Sequence, residues 1–360
     1  MGNLYIKKKT NLMYQINKDI TKLNHLINKD EFLMENVYEI SNGIWHIIPY
    51  IEKDQCRYWI DRYGHYMMIE MESMWYERSN HFVYDGNYGL NSGVVNKIFD
   101  DKIITTKVLR QNNIKTPDEL LLIRSDSTYS NSDNNIMAAK KFVEKIWYPI
   151  ICKPLSDMKG NGVIKVNNEN ELYRFRDKFD NGELGNRHYI MQQYISWGDY
   201  RILYLDGEVI ASYKRIPANI VWDGKSSIND LLISNDIFVN NIENIKVFLE
   251  SHDYNIDHIL EDKQILQILP TANLSTWGTA QVITLSPEDI IFVKKIAHMW
   301  WARYFWLDII TESNVRDGYV IEINKSPGIM GISSIDKNFP VIFGRKIWQA
   351  IKNTCPNPKA

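Results

Sequence analysis

Three groups of side chains in this sequence could do phosphate chemistry. Lys153 closes the apolar run Pro149-Ile150-Ile151-Cys152 and stands immediately before Pro154-Leu155-Ser156-Asp157-Met158-Lys159-Gly160-Asn161-Gly162-Val163. A strand-end lysine facing a glycine-bearing turn can hold polyphosphate charge, the ammonium as a point charge and the turn's N–H groups as donors. A solvated lysine on a surface hairpin would read the same way. The turn lacks the Gly-x-x-x-x-Gly-Lys-Ser/Thr string of a Walker A loop, and it is not a dinucleotide fingerprint.

The second group is acidic. Glu322-Ile323-Asn324 puts two oxygen-bearing side chains on one face of a strand, since alternate residues point the same way. Asp308 adds a third, and hard oxygen ligands of this kind suit Mg²⁺ bridging phosphates, although Glu322 and Asn324 could equally cap a strand end. The third group, Asp199, Arg201, Lys214 and Arg215, flanks Asp206-Gly207. A guanidinium fork can clamp a phosphoryl group or a substrate carboxylate, and surface ion pairs would use the same residues.

Two further features carry no chemistry. Trp300, Trp301, Tyr304, Phe305 and Trp306 read as an aromatic helix whose period favours core packing over ligand stacking. The eight histidines are scattered, with no His-Glu-x-x-His string and no cysteine at ligand spacing.

Elements must hold these groups in place. Ile16, Ile20, Leu23 and Ile27 recur at helical spacing. From Tyr38 to Gly86 short apolar segments, broken by Asn42-Gly43 and Asp85-Gly86, predict a small α/β unit. Asp100 to Asn112 is a predicted helix closed by Ile114-Lys115-Thr116-Pro117, because the residue before a proline avoids the α region. Met137 to Trp147 is a second helix, with Pro149 to Lys153, Gly162 to Val166 and His188 to Ile195 as strands. Arg201 to Leu205 and Glu208 to Ser212 make a hairpin around Asp206-Gly207. Ser286-Pro287-Glu288-Asp289 opens a helix running to about Arg303, and Gly318 to Ile323 is a late strand.

Composition narrows the function classes. With 360 residues, 44% of them hydrophobic, the chain can bury a large core and fits two or three domains better than one. Lys and Arg total 42 against 44 Asp and Glu, a formal net charge of -2, so no basic field exists to neutralise a nucleic-acid backbone. Cys56, Cys152 and Cys355 are too few and too scattered for a disulfide framework or a zinc cluster, and a cytoplasmic location is the simplest expectation. No apolar run follows the lysines of residues 1–11, and Ile290 to Ile310 is interrupted by charges, so neither a signal peptide nor a membrane span is expected.

These motifs together resemble the ATP-grasp superfamily, and within it cyanophycin synthetase and the ligase domain of bifunctional bacterial glutathione synthetase, from about Asn91 to Gly328. Asp101 to Lys107 through Asn113 to Pro117 is similar to the motif whose first lysine reaches the nucleotide phosphates, a role the resemblance gives to Lys102 with Lys153 as the second lysine. Lys159, Gly160 and Gly162 fall in what looks like the mobile glycine loop, and Gln192, Gln193, Tyr194 and Ile195 resemble the hinge that holds adenine. Gly198 to Arg201, Lys214 to Val221 and Asp223 to Ile228 resemble long stretches of the same branch.

The resemblance implies an α+β chain, an ATP-grasp fold with an N-terminal α/β pre-ATP-grasp region at 1–95. The core would start at 96–135, a small β-rich nucleotide lid would span 136–195, and a C-terminal lobe with the metal site would span 196–350. It implies ATP and Mg²⁺ as cofactors, Asp308, Glu322 and Asn324 as metal ligands, and Arg201, Arg215 and Asn273 as catalytic residues. Trp277 stands where the relatives have glycine and is expected to narrow the acceptor pocket. The implied activity is a carboxylate-amine ligase that forms an amide through an acyl phosphate. Its partners are an amino-acid or peptide carboxylate and an amine acceptor, with neither nucleic acid nor membrane, and a homo-oligomer is left open. An ATP-grasp enzyme with another phosphoryl acceptor, or an inactive nucleotide-binding protein, would carry the same motifs.

Overall fold

The structure, a computed structural model, describes residues 42–61, 63–71, 79–155, 162–185, 188–234, 238, 242–250, 254–259, 261, 263–269 and 278–354. The amphipathic stripe of Ile16 to Ile27 lies outside them. The chain divides into two compact units, one of residues 1–90, 220–265 and 328–360, the other of residues 91–219 and 266–327.

In the first unit, strands Tyr58–Ile60, Tyr66–Met71 and Ser79–Tyr84 form an antiparallel sheet in that order. Its long C-terminal helix, Phe339–Thr354, carries Lys352 and Trp348, which both donate to Asp54 Oδ2, at 2.8 and 2.7 Å. Asn42-Gly43 begins the short helix Asn42–Trp45, so the expected turn there is a helix instead. The glycine answers a close approach, since a Cβ at 43 would lie 2.3 Å from the backbone nitrogen of Gly86.

The second unit begins with helices α1 (Gly93–Asp100) and α2 (Lys102–Gln111). The Asp101 carboxylate accepts from the Ile104 N–H and caps α2, satisfying one of the donors that every helix start leaves open. Next come β1 (Glu119–Leu122), α3 (Ile136–Ile146), β2 (Ile150–Pro154), β3 (Ile164–Val166), α4 (Glu169–Asp180) and β4 (Tyr189–Gln193). The four strands form an antiparallel sheet in the order β1-β4-β2-β3. Helices α3 and α4 cover one face of it, through Ala139, Val143, Leu172, Phe175 and Phe179 packed on Ile150, Cys152, Tyr189 and Met191. Cys152 is fully buried there, and burial pushes its thiol well above the ordinary range.

The larger sheet follows: β5 (Gly198–Leu205), β6 (Glu208–Ile216), β7 (Thr279–Val282), helix α5 (Pro287–Trp300), β8 (Tyr304–Thr311) and β9 (Tyr319–Asn324). Its order is β7-β6-β5-β8-β9, every pair antiparallel. Asp206-Gly207 turns the β5–β6 hairpin with φ of 46° and 96°, the left-handed values a two-residue turn requires. Ser286 caps α5 through the Asp289 N–H. The side chains of Phe305, Leu307 and Ile309 pack with Val293, Ile296, Ala297 and Trp300 of α5, leaving Tyr304, Trp306 and Asp308 on the opposite face.

Residues 300–306 are therefore not one helix. Trp301 takes a left-handed conformation (φ 52°) that ends α5, and Tyr304 begins a strand. Trp300, Tyr304, Phe305 and Trp306 are core residues as expected, but Trp301 is 81% exposed. The strand escapes a period-two reading because both of its faces are buried, so no polar residue alternates with its apolar ones.

The β8–β9 pair carries a bulge. Asp308 faces Glu322 but Ile309 faces Val320, leaving Ile321 unpaired. The extra residue lets Val320 and Ile323 both reach the core while Glu322 stays opposite Asp308. Gly318 admits this hairpin because a Cβ there would come within 2.6 Å of Ile309 Cγ2 and 2.8 Å of the Ile310 carbonyl oxygen. Among the described residues no helix is long and apolar enough to cross a membrane. Gly318→Ala should destabilise the fold by about 1–3 kcal/mol through overpacking. Urea denaturation tests it: an unchanged midpoint would mean the hairpin absorbs the methyl group without strain.

Candidate active site

Every expected site residue that falls among the described residues belongs to the second unit. Lys159, Gly160 and Asn273, with Trp277, lie outside the described residues. The site is built from the faces of the two sheets that the helices leave uncovered.

On the small sheet, period-two alternation sends Cys152 and Met191 to the helices and Lys153 and Gln192 to the other face. Lys153 is 8% exposed, and its ammonium donates to Gln192 Oε1 at 3.1 Å. Burial pulls its pKa down, and the Glu322 and Glu119 carboxylates offset part of that pull. Gln192 stands directly opposite Glu119 in the β1–β4 register and donates its Nε2 to Glu119 Oε2 at 3.4 Å. Lys102, at the first turn of α2, donates to the Leu155 carbonyl at 3.4 Å and lies 3.8 Å from Glu322 Oε1. This one lysine thus touches both the strand end after Lys153 and the acid on β9.

On the large sheet, direct cross-strand pairing puts Tyr213, Arg201, Asp308 and Glu322 in one row, with Asp199–Arg215 and Trp306–Asn324 as neighbouring pairs on the same face. Asp308 is 4% exposed. Arg201 grips it as a fork, Nε to Oδ1 at 2.8 Å and an outer nitrogen to Oδ2 at 2.5 Å. Arg215 donates to the same Oδ2 at 3.1 Å and to Asp199 Oδ1 at 2.7 Å. Burial alone would raise the Asp308 carboxyl, but the two guanidiniums outweigh it and hold the group below the usual carboxylate range. At Asp199 the balance runs the other way: burial raises the carboxyl despite Arg215.

The two arginines differ in what they have left to give. Arg201 is occupied by Asp308 and lies 5.8 Å from the Trp306 ring. Among the described residues the buried Arg215 Nε–H has no hydrogen-bond partner. An orphaned buried donor is costly, and an anionic oxygen would satisfy it.

Gln193 and Tyr194 have partners of their own outside this row. Gln193 turns to Asp118, its N–H donating to the Asp118 carbonyl at 2.8 Å. The Tyr194 ring lies 4.5 Å beneath the Lys165 ammonium. Gly162 has φ of 72°, and a Cβ there would meet Pro154 Cγ at 2.9 Å, so this end of the turn requires glycine. Asn324 joins Asp308 and Glu322 through register, as a pair with Trp306. Among the described residues no three His, Cys, Asp or Glu side chains gather as a metal cluster, and the candidate set has two acids and one amide. Glu119 was not singled out in the sequence. The signal was faint: one acid at the start of the run Leu120 to Leu122, near Gln192 only through strand pairing.

Known proteins resemble parts of this chain. The family description "Prokaryotic glutathione synthetase, ATP-grasp domain" matches residues 124–230. Cyanophycin synthetase of Crocosphaera subtropica is 28% identical over 202 residues, covering 50% of this chain and 23% of the relative. The cyanophycin synthetase of Trichormus variabilis is 26% identical over 287 residues, 71% of this chain and 30% of its own. The bifunctional glutathione biosynthesis protein of Streptococcus mutans is 22% identical over 282 residues, 71% of this chain and 36% of its own. The chain thus spans about a quarter to a third of the length of these relatives. Among solved structures, the bifunctional glutathione synthetase of Pasteurella multocida is alike in fold, with a TM-score of 0.50 at 19% identity over 81% of this chain and 40% of that one. Family match, curated relatives and fold agree: residues 124–230 match an ATP-grasp domain, and the chain is related to cyanophycin synthetase and to the ATP-grasp domain of bifunctional glutathione synthetase.

Proposed function

We propose that the chain is an ATP-dependent carboxylate-amine ligase, ADP-forming, that joins an amino-acid or peptide carboxylate to an amine through an acyl phosphate. The observation that carries this reading is the meeting of Lys102 with Glu322, 3.8 Å apart, beside the strand end that presents Lys153. Cations for phosphate and an acid for a metal then share one place. A substrate carboxylate oxygen attacks the γ-phosphorus of ATP, the bond to the bridging oxygen breaks, and ADP leaves. The amine then attacks the carbonyl carbon of the mixed anhydride, loses a proton, and phosphate departs. No side-chain nucleophile is needed; positioning and electrostatics do the chemistry.

The residues present fit the groups this chemistry uses. Asp308, Glu322 and Asn324 offer oxygen donors only, the donor set of a hard divalent cation, and would hold Mg²⁺. Bound there, Mg²⁺ would supply positive charge to phosphate oxygens. Lys102 and Lys153 neutralise the phosphates, and the Arg215 Nε–H, without a partner among the described residues, points this role to Arg215 as well. Arg201 acts differently, holding Asp308 ionised and in place.

The test is calorimetric titration with ATP and Mg²⁺, then a screen of amino acids and short peptides for ADP release. Release should require acid and amine together, with the amide product seen by mass spectrometry; ADP release with neither present would point to another phosphoryl acceptor. Lys153→Ala should weaken ATP binding by roughly tenfold or more, the loss of one charge-assisted contact, with little change in melting temperature. Unchanged binding would remove Lys153 from the phosphate site.

The arginines should separate by stability. Arg201→Ala leaves the buried Asp308 carboxylate with Arg215 alone and should cost roughly 2–4 kcal/mol of folding stability, whereas Arg215→Lys should lower turnover with a smaller loss. Because Asp308 titrates below its ordinary 3.8, its contribution is complete above that value and is lost as pH falls through the lowered folded value. Asp308→Asn should therefore flatten the acid limb of a stability–pH curve. An acid limb identical to that of the parent would show that Asp308 is not its source.

A further inference from the structure

One acid on the open face of the small sheet has no part in the mechanism above. Glu119 opens β1, half-buried, and the register sets Gln192 directly opposite it. Gln192 in turn stands opposite Ile151, two residues before Lys153 on β2. Alternation brings Glu119, Gln192 and Lys153 to one face, in a line across three strands. Along that line Gln192 Nε2 donates to Glu119 Oε2 at 3.4 Å, and Gln192 Oε1 accepts from Lys153 Nζ at 3.1 Å.

An amide has two unlike ends. Only its carbonyl can accept from an ammonium, and turning the group over would set an NH₂ against Lys153, donor to donor. Nothing within Gln192 selects between the two orientations. A carboxylate does select, because it accepts only, and so it draws the NH₂ end to itself. Burial raises the Glu119 carboxyl, and the nearby Lys153 and Arg110 charges, with the adjoining Thr106 hydroxyl, oppose that rise. Thr106 sits on α2, one turn beyond Lys102, and donates its single hydroxyl proton to the Lys102 carbonyl at 2.8 Å. The contacts run from the helix of one lysine to the strand of the other.

We infer that Glu119 is a positioning residue for nucleotide binding: it fixes the orientation of the Gln192 amide, and the Gln192 carbonyl in turn tethers the Lys153 ammonium where the phosphates bind. This rests on the ATP site proposed above. A long lysine side chain loses rotamer freedom when it engages a ligand, and a tether made beforehand reduces that loss. Glu119 acts through Lys153, so its effect must vanish when the lysine is gone.

A double-mutant cycle reads this out. ATP with Mg²⁺ is titrated calorimetrically into the parent, Glu119→Ala, Lys153→Ala and the double variant, with thermal unfolding of each as a check on folding. Glu119→Ala should weaken binding about tenfold in the parent and less than about twofold in the Lys153→Ala background. Glu119→Gln, an amide that can turn either end to Gln192 and so no longer selects its orientation, should weaken binding much as the alanine variant does. If Glu119→Ala does not fold, Gln192→Met takes its place in the same cycle with the same expected result. Equal losses in both backgrounds, parent-like binding by Glu119→Ala, or parent-like binding by Glu119→Gln would each overturn the inference while the parent still binds ATP. A parent that fails to bind ATP overturns the nucleotide reading itself, and this inference with it.

Discussion

A carboxylate in the middle of an antiparallel sheet, gripped by two guanidiniums, sets the terms for the rest of the site. Burying the Asp308 charge without partners would cost several kcal/mol, and its partners are useful only at hydrogen-bond distance. Arg201 comes from the neighbouring strand and Arg215 from the strand beyond it, so β5, β6 and β8 must keep one register for the charge to be compensated. A slip of one residue would turn Arg201 to the core side and leave Asp308 exposed to apolar neighbours. The same register sends Glu322 and Asn324 to the face that Asp308 occupies. Folding and the assembly of the acidic set are therefore one event.

The small sheet follows the same plan with the charges exchanged. Helices cover one face and close an aromatic core, and the other face bears a buried ammonium that a polar side chain must hold. Lys102 adds a third source of positive charge from a helix start fixed by the Asp101 cap, so its position is set by backbone rather than by a loop. Cations and acids alternate across the unit, which lets each be buried without leaving one sign uncompensated.

Local rules are legible wherever one residue type answers one backbone need. Ser286 as a cap and Asp206-Gly207 as a tight turn sit where the sequence places them, whereas Asp101, expected inside a helix from Asp100, is the cap at which a second helix begins. Two failures share a cause. Tyr304, Phe305 and Trp306 read as helix because a strand buried on both faces has no alternation to show, and the Ile321 bulge is hidden because Val320 and Ile323 are three apart. The candidate residues on each strand were visible as types, but not their partners. That Asp308 faces Arg201, or that Gln192 lies between Glu119 and Lys153, depends on which strands become neighbours, and pairing across 107 residues leaves no trace in local spacing.

Cys152 stands next to Lys153 on the same strand, but alternation points it the opposite way, into the core beneath α3 and α4. Its thiol is buried and kept protonated, two conditions under which an alkylating reagent cannot attack it. Labelling at this sulfur would therefore require the two helices to lift from the sheet. The molecule thus contains its own clock for that opening: one sulfur atom, a residue away from the ammonium, whose rate of modification counts how often the floor beneath Lys153 gives way.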